Sequence, residues 1–309
     1  MLEKKIRILD FDNSVKAQKA LLAGYEAEVI DLTDLGPKVR FWMSRGARGE
    51  LLRRIPNGGE GRVTFLGSGD FHHVTELLLS RFDEPVSLID FDFHQDWDAT
   101  SSLLHCGSWV SKAMERQNIR KCLMLGPSSK DFSFFSLQAG DLRLLKDDRL
   151  EIYPYSSRAG AVFFRAVPSN ISIEKKEGVF LTRIYWNELK SKNIKEFFIH
   201  LISRLPTAKV YITIDKDCLE ARTSLTNWDQ GDMPLGSLLE ILKVIKDKRE
   251  IVGMDITGDY SPVRTDGVLK NAILRLNHPR NIKAAGLSAP SIAAANEITN
   301  LKILESVIA

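Results

Sequence analysis

Cysteine is scarce in this sequence: three residues among 309, at irregular spacing. An odd, unpatterned set excludes a disulfide-stapled framework. Long hydrophobic runs are missing as well, and no apolar stretch reaches the roughly 18 residues that a spanning helix requires. The first residues, Met-Leu-Glu-Lys-Lys-Ile-Arg, lead into neither an apolar h-region nor a small-residue cleavage site. No membrane partner and a reducing, cytoplasmic location are therefore expected. Excess charge of one sign is lacking too: 43 Lys plus Arg against 40 Asp plus Glu leave +3. That is too little to imply nucleic acid by itself. Linkers, repeats and low-complexity stretches are absent. The remaining composition, 44% hydrophobic and 27% charged, is that of an ordinary globular chain long enough for a substantial core.

Apolar runs alternate with longer helical patterns. Strands are expected at 5–11, 26–32, 62–66, 86–94, 121–125, 209–219 and 250–256, and helices at 194–205, 234–248 and 288–308. Near-continuous apolar strands alternating with helices predict an α/β fold, a three-layer sandwich around a mostly parallel central sheet. One domain over 1–309 is expected. It is interrupted by an irregular excursion at about 127–188, read as hairpins or a long loop over the sheet edge, which holds Tyr153, Tyr155, Arg158, Phe163, Phe164 and Arg165.

The chemistry concentrates at Ile89-Asp90-Phe91-Asp92-Phe93-His94-Gln95-Asp96-Trp97-Asp98. Every second residue from Asp90 to Asp98 is acidic or His, and in a strand such residues share a face. An apolar, buried strand with that many like charges needs compensation, because each buried ion costs several kcal/mol. A bound cation supplies it, and an exposed strand with a polar face is the rival reading. A second acidic pair, Asp215 and Asp217, closes the strand at 209–219, at the end where parallel sheets bind ligands. Cys218 should point away from it into the core. Gly67-Ser68-Gly69-Asp70-Phe71-His72-His73 follows another strand and brings His72 or His73 to the same end. His105 stands in a small-residue turn, His-Cys-Gly-Ser. His200 and His278 have no acidic cluster nearby in sequence and are read as structural. The basic stretch with Lys38, Arg40, Arg45, Arg48, Arg53 and Arg54 reads as a solvated, partly amphipathic segment, so no nucleic-acid partner is expected.

Taken in order, a His after a Gly-rich strand end, Asp-x-His-x-Asp, His near Gly, Asp-x-Asp and an acidic segment ending in Pro262 resemble the ureohydrolases, the arginase and agmatinase enzymes. The motifs run from Gly67 to Pro262. The resemblance implies an arginase/deacetylase-like fold and two Mn²⁺ ions, with Ni²⁺ or Zn²⁺ as alternatives. It implies His72 and Asp96 on one metal, His94 and Asp217 on the other, and Asp92 and Asp215 bridging. It implies catalytic roles for Asp96 in handling a proton, for His105 in protonating the leaving amine and for Asp259 in holding the guanidinium group. Anchoring the last segment on Asp255 instead of Pro262 puts Gly258 in that third role. The implied substrate is a small guanidino or amidine compound, cleaved at a linear C–N bond with release of urea by a hydroxide shared between the metals. A homo-oligomer is implied too.

The sequence departs from the family at Phe71, at Cys106 and at Glu220-Ala221, and its Thr226-Asn227-Trp228-Asp229-Gln230-Gly231 segment has no counterpart there. Asn227 or Asp229 is expected to line the pocket, or else to sit in an exposed turn. Ile-Asp-Phe-Asp-Phe-His is also similar to the zinc strand of the histone deacetylases, which makes a mononuclear zinc amide deacetylase the nearest rival. A non-catalytic metal-binding homologue is the third reading.

Overall fold

Near-continuous Val, Ile, Leu and Phe in the predicted strands demand cover on both faces, and the chain provides it. The computed structural model describes residues 4–57, 62–128, 134–157, 159–278 and 287–308. Thirteen strands are present among them: β1 (Lys5–Asp10), β2 (Glu26–Asp31), β3 (Trp42–Met43), β4 (Val63–Gly67), β5 (Val86–Phe91), β6 (Leu104–His105), β7 (Ile119–Leu125), β8 (Leu150–Tyr153), β9 (Gly160–Phe163), β10 (Ile173–Glu177), β11 (Leu181–Trp186), β12 (Lys209–Asp215) and β13 (Glu250–Thr257). Eight form a sheet in the order β2-β1-β4-β13-β12-β5-β7-β8. Every pairing in it is parallel.

Alternate residues of these strands feed two separate cores, which makes the architecture three-layered. On one face Leu66, Leu88, Met124 and Tyr211 pack with the helices Thr75–Leu79 and Trp109–Met114. On the other, Ile89, Phe91, Ile212, Ile214 and Ile256 pack with the helices Ile194–Ser203, Leu235–Lys248 and Ala289–Val307. No helix among the described residues is long and apolar enough to cross a membrane.

The stretch 127–188 contains two short helices, the main-sheet edge strand β8 and the antiparallel sheet β10-β11-β9. Arg158 and residues 129–133 of that stretch lie outside the described residues. The basic stretch differs from its expected solvated character at one residue. Arg40 is buried, because Asp70 and Ser261 accept its guanidinium and Phe71 lies beneath it. Arg48, Arg53 and Arg54 pair with Glu76, Glu50 and Asp34.

Candidate metal centre

Parallel strands deliver their loops to one edge, and the predicted site residues gather at the carboxyl ends of β4, β5 and β12. The expected strand at 86–94 ends earlier, at Phe91. Asp92, His94, Asp96 and Asp98 therefore do not share a strand face. They follow one another round a loop in which Asp96 adopts φ 47°. Asp92 Oδ1 accepts the His94 N–H at 2.7 Å, and Asp217 Oδ1 accepts the Phe93 N–H at 3.1 Å. The second acidic pair likewise straddles a strand end. Asp215 closes β12 and accepts the Asp217 N–H at 3.0 Å in the short 3₁₀ turn Lys216–Cys218. Cys218 packs in the core as expected.

Of the tandem histidines, His72 meets the carboxylates. Its Nδ1 lies 2.9 Å from Asp92 Oδ2, 3.6 Å from Asp96 Oδ2 and 3.8 Å from Asp215 Oδ2. His73 is fully buried with neither ring nitrogen hydrogen-bonded, and burial lowers its pKa to about 3. A second group forms around His94, whose Nδ1 lies 3.0 Å from Asp217 Oδ2 and 3.5 Å from Asp92 Oδ1. Asp92 belongs to both groups. All six residues expected as ligands are thus in one cluster, and five of them are buried, with His94 part-exposed.

The face of the sheet beneath orients His72. The Thr213 hydroxyl donates to Asp255 Oδ1 at 2.7 Å, so its oxygen is left to accept from His72 Nε2 at 2.9 Å. Thr75 and Tyr211 also donate to Asp255. With Nε2 committed as a donor, Nδ1 is the nitrogen turned toward the carboxylates, the orientation that outer partners impose on metal-binding His. Asp96 is held by the Trp109 indole N–H at 2.8 Å. Asp90, on the same sheet face, is buried with neither carboxyl oxygen hydrogen-bonded.

The electrostatics show what this crowding costs. Burial, then neighbouring carboxylates, push Asp96 and Asp215 well above the usual carboxylate range and Asp217 to about 6. Burial pulls on the His72 and His94 rings in the opposite sense, but Asp92 and Asp217 outweigh it and raise both well above an ordinary His. The chain alone balances its acids by holding protons. An oxygen-rich donor set with two His and no Cys, its atoms within 4.8 Å of one another in the Asp92-His94-Asp217 group, suits divalent ions such as Mn²⁺.

A pocket of about 270 Å³ opens over the cluster, walled by Phe41, Trp97, His105 and Trp228. His105 Nδ1 accepts the Gly107 N–H at 3.1 Å, so its proton sits on Nε2, 3.7 Å from Asp98 Oδ2. Burial lowers its pKa. Gly140 must stay bare for the Trp97 wall, since a Cβ there would overlap the indole. Gly140→Ala is expected to cost about 1–3 kcal/mol of stability by overpacking, read from the denaturant midpoint.

Asp259 is not brought to this pocket. Gly258 turns at φ 86°, and the Asp259 carboxylate goes instead to the buried Lys216 Nζ at 2.9 Å and the Gln18 amide at 2.7 Å. At Gly258, the alternative position, a Cβ would lie 2.5 Å from Asp215 Oδ1. Neither expected residue of the 226–231 segment lines the pocket. Asp229 is exposed, and Asn227 is buried behind the wall, bonded to Ser68 and Ser261. Trp228 lines it instead, its indole N–H donating to Asp70 Oδ1 at 3.0 Å. His278, read as structural, reaches the same oxygen at 2.8 Å and packs against Trp228. Asp70 lies 208 residues away in sequence, so no local signal marks that pairing.

No protein-family model matches the chain. An uncharacterised protein of Thermotoga maritima is 26% identical over 263 residues, covering 85% of this chain and 83% of that one. Among solved structures, proclavaminate amidinohydrolase from Streptomyces clavuligerus superposes with a TM-score of 0.58 at 10% identity, over 98% of this chain and 90% of its own. An Entamoeba histolytica arginase in complex with L-ornithine gives 0.54 at 10% identity, over 99% of each chain. The chain thus shares its fold with this amidinohydrolase and this arginase, at 10% sequence identity to each.

Proposed function

We propose that the chain is a hydrolase with two divalent metal ions that cleaves a linear C–N bond of a small guanidino or amidine compound. The observation that carries this reading is Asp92, one buried carboxylate shared by two separate His/Asp groups. His72, Asp92, Asp96 and Asp215 would hold one ion, and His94, Asp92, Asp215 and Asp217 the other. When bound, such a pair supplies the Lewis acidity that activates water near neutral pH. The names of the structural neighbours, an amidinohydrolase and an arginase, support the substrate class. We take residues 1–309 as one domain of that fold.

The chain's own residues supply the rest. Asp96, fixed by Trp109, is placed to accept a proton inside the cluster. His105 lines the pocket and would protonate a departing amine from its imidazolium form, which requires Nδ1 to take up a proton in place of the Gly107 N–H it now accepts. His105→Gln is expected to lower kcat by about 10²- to 10³-fold while bound metal stays unchanged, which turnover and elemental analysis of the same sample would separate.

Purification followed by metal analysis, then a urea-release screen across guanidino compounds with Mn²⁺ or Ni²⁺ supplied, tests the whole reading. Two equivalents of metal and urea release are expected. Saturation at one equivalent, with amide hydrolysis and no urea, would favour the mononuclear deacetylase instead.

A further inference from the structure

The pocket over the cluster has an unusual division of labour between charge and π-surface. Its carboxylates other than Asp98 all belong to the cluster. Asp98 is partly engaged: its Oδ1 accepts the Thr100 N–H and hydroxyl, both at 2.7 Å, while its Oδ2 lies 3.7 Å from His105 Nε2. Asp259, a further acidic candidate, is buried against Lys216. Among the described lining residues, Asp98 is the one carboxylate outside the cluster that a planar cation would meet. The rest of the wall beyond the cluster is dominated by the aromatic rings of Phe41, Trp97 and Trp228.

Those faces are built with care. Trp228 stands beside the cluster, its ring 5.4 Å from that of His94 and 6.0 Å from that of Phe41, which lines the same pocket. The indole N–H is tied to Asp70, a fully buried carboxylate whose second oxygen is taken by Arg40. His278 Nε2 lies 2.8 Å from the same Asp70 oxygen that the indole bonds, so the anchor is held from three sides. The neighbouring Asn227 clamps the loop to Ser68 and Ser261. Phe41 is held at φ 72°, a conformation that strains a non-glycine residue, by its N–H to Asp70 O at 2.8 Å and its carbonyl accepting the Cys106 N–H at 3.0 Å. Strain of this kind persists only where the surroundings over-determine it. Here it puts a phenyl ring on the pocket wall.

We infer that Trp228, with Phe41 beside it, is the specificity-determining surface of the site and holds the planar amidinium or guanidinium group of the substrate by cation–π contact. The inference rests on the hydrolase reading above and deepens it. A cation over an indole face is favoured electrostatically over its neutral isostere, and the indole is the strongest such face among side chains. The neutral analogue loses that preference while keeping shape and apolar contact.

The test compares n-butylguanidinium with n-butylurea, titrated calorimetrically into the purified chain supplied with Mn²⁺. The cation should bind at least about 10-fold tighter than the urea. Trp228→Leu should remove about 10-fold of the cation's affinity while leaving n-butylurea within about twofold, and Trp228→Phe should retain most of it. Should Trp228→Leu fail to fold, Phe41→Leu repeats the comparison from the other ring. Equal binding of the two probes overturns the inference. So does a cation affinity untouched by Trp228→Leu, or one lowered as far by Trp228→Phe as by Trp228→Leu. Bound metal and urea release report on the hydrolase reading separately, so a failure of one is not mistaken for a failure of the other.

Discussion

Asp92→Asn is expected to abolish binding of both metal ions, and Asp217→Asn to abolish only one. The difference follows from position. Asp217 faces the His94 group, 3.0 Å from its Nδ1, whereas the two oxygens of Asp92 face different histidines, Oδ2 toward His72 and Oδ1 toward His94. An amide at 92 removes a negative charge and puts an N–H₂ donor on one side, so one group loses its anionic ligand and the other loses part of its charge. Activity should fall by at least about 10⁴-fold, more than about 5 kcal/mol of transition-state stabilisation. The fold should survive, because the metal-free cluster already carries more like charge than it can comfortably bury. Elemental analysis of the two variants after dialysis against Mn²⁺ checks this. If Asp92→Asn keeps two equivalents, the sharing of Asp92 between two ions is wrong and the ligand assignment fails with it.

How much of this was legible in the sequence depends on how local each signal was. All seven expected strands are present: six are apolar runs largely buried on both faces, and β2 (EAEVID), at the sheet edge, alternates acidic with apolar residues and stays largely exposed. β8 (LEIY) is missed because Glu151 interrupts so short a run. It is buried all the same, because Lys121 and Arg204 pair with that carboxylate. The acidic and histidine residues of the cluster are found because their types are informative wherever they sit. The reason given for their grouping fails, however. Period-two alternation continues past Phe91 in the letters but not in the backbone, which leaves the sheet at Asp92. Contacts spanning the chain were out of reach. Arg40 with Asp70, Trp228 with Asp70, and Asp259 with Lys216 each join segments whose adjacency depends on the fold. Asp259 goes to Lys216 and Gln18 after the left-handed turn at Gly258, and neither residue lines the pocket. Aromatic residues at a pocket wall carry no signature at all, since Trp228 in sequence is one Trp in a polar loop.

The second large effect is on stability. Metal-free protein should lose stability as pH rises, and Mn²⁺ should restore it by an amount that grows with pH. The sign follows from the direction of the shifts. A carboxyl whose folded pKa lies above its unfolded value favours the folded state below the unfolded pKa, and that contribution is lost as pH climbs through the folded one. Asp217, at about 6 against an ordinary 3.8, sets a window between those values. Asp96 and Asp215 are displaced in the same direction and widen it upward, as do the raised His72 and His94. Every one of these protons balances a charge that a divalent ion would balance instead, so metal binding must release protons and tighten as they become easier to remove. At about 100 times Kd each ion adds roughly 2.7 kcal/mol. For two ions on a chain of this size the melting temperature should rise on the order of 8–10 °C. Little of that rise should be seen at pH 5 and all of it at pH 8, with EDTA reversing it. Calorimetric titrations in buffers of different ionisation enthalpy would count the released protons directly. A Mn²⁺ increment that stays flat between pH 5 and 8, with no proton released, would mean that these carboxylates are not exchanging protons for metal.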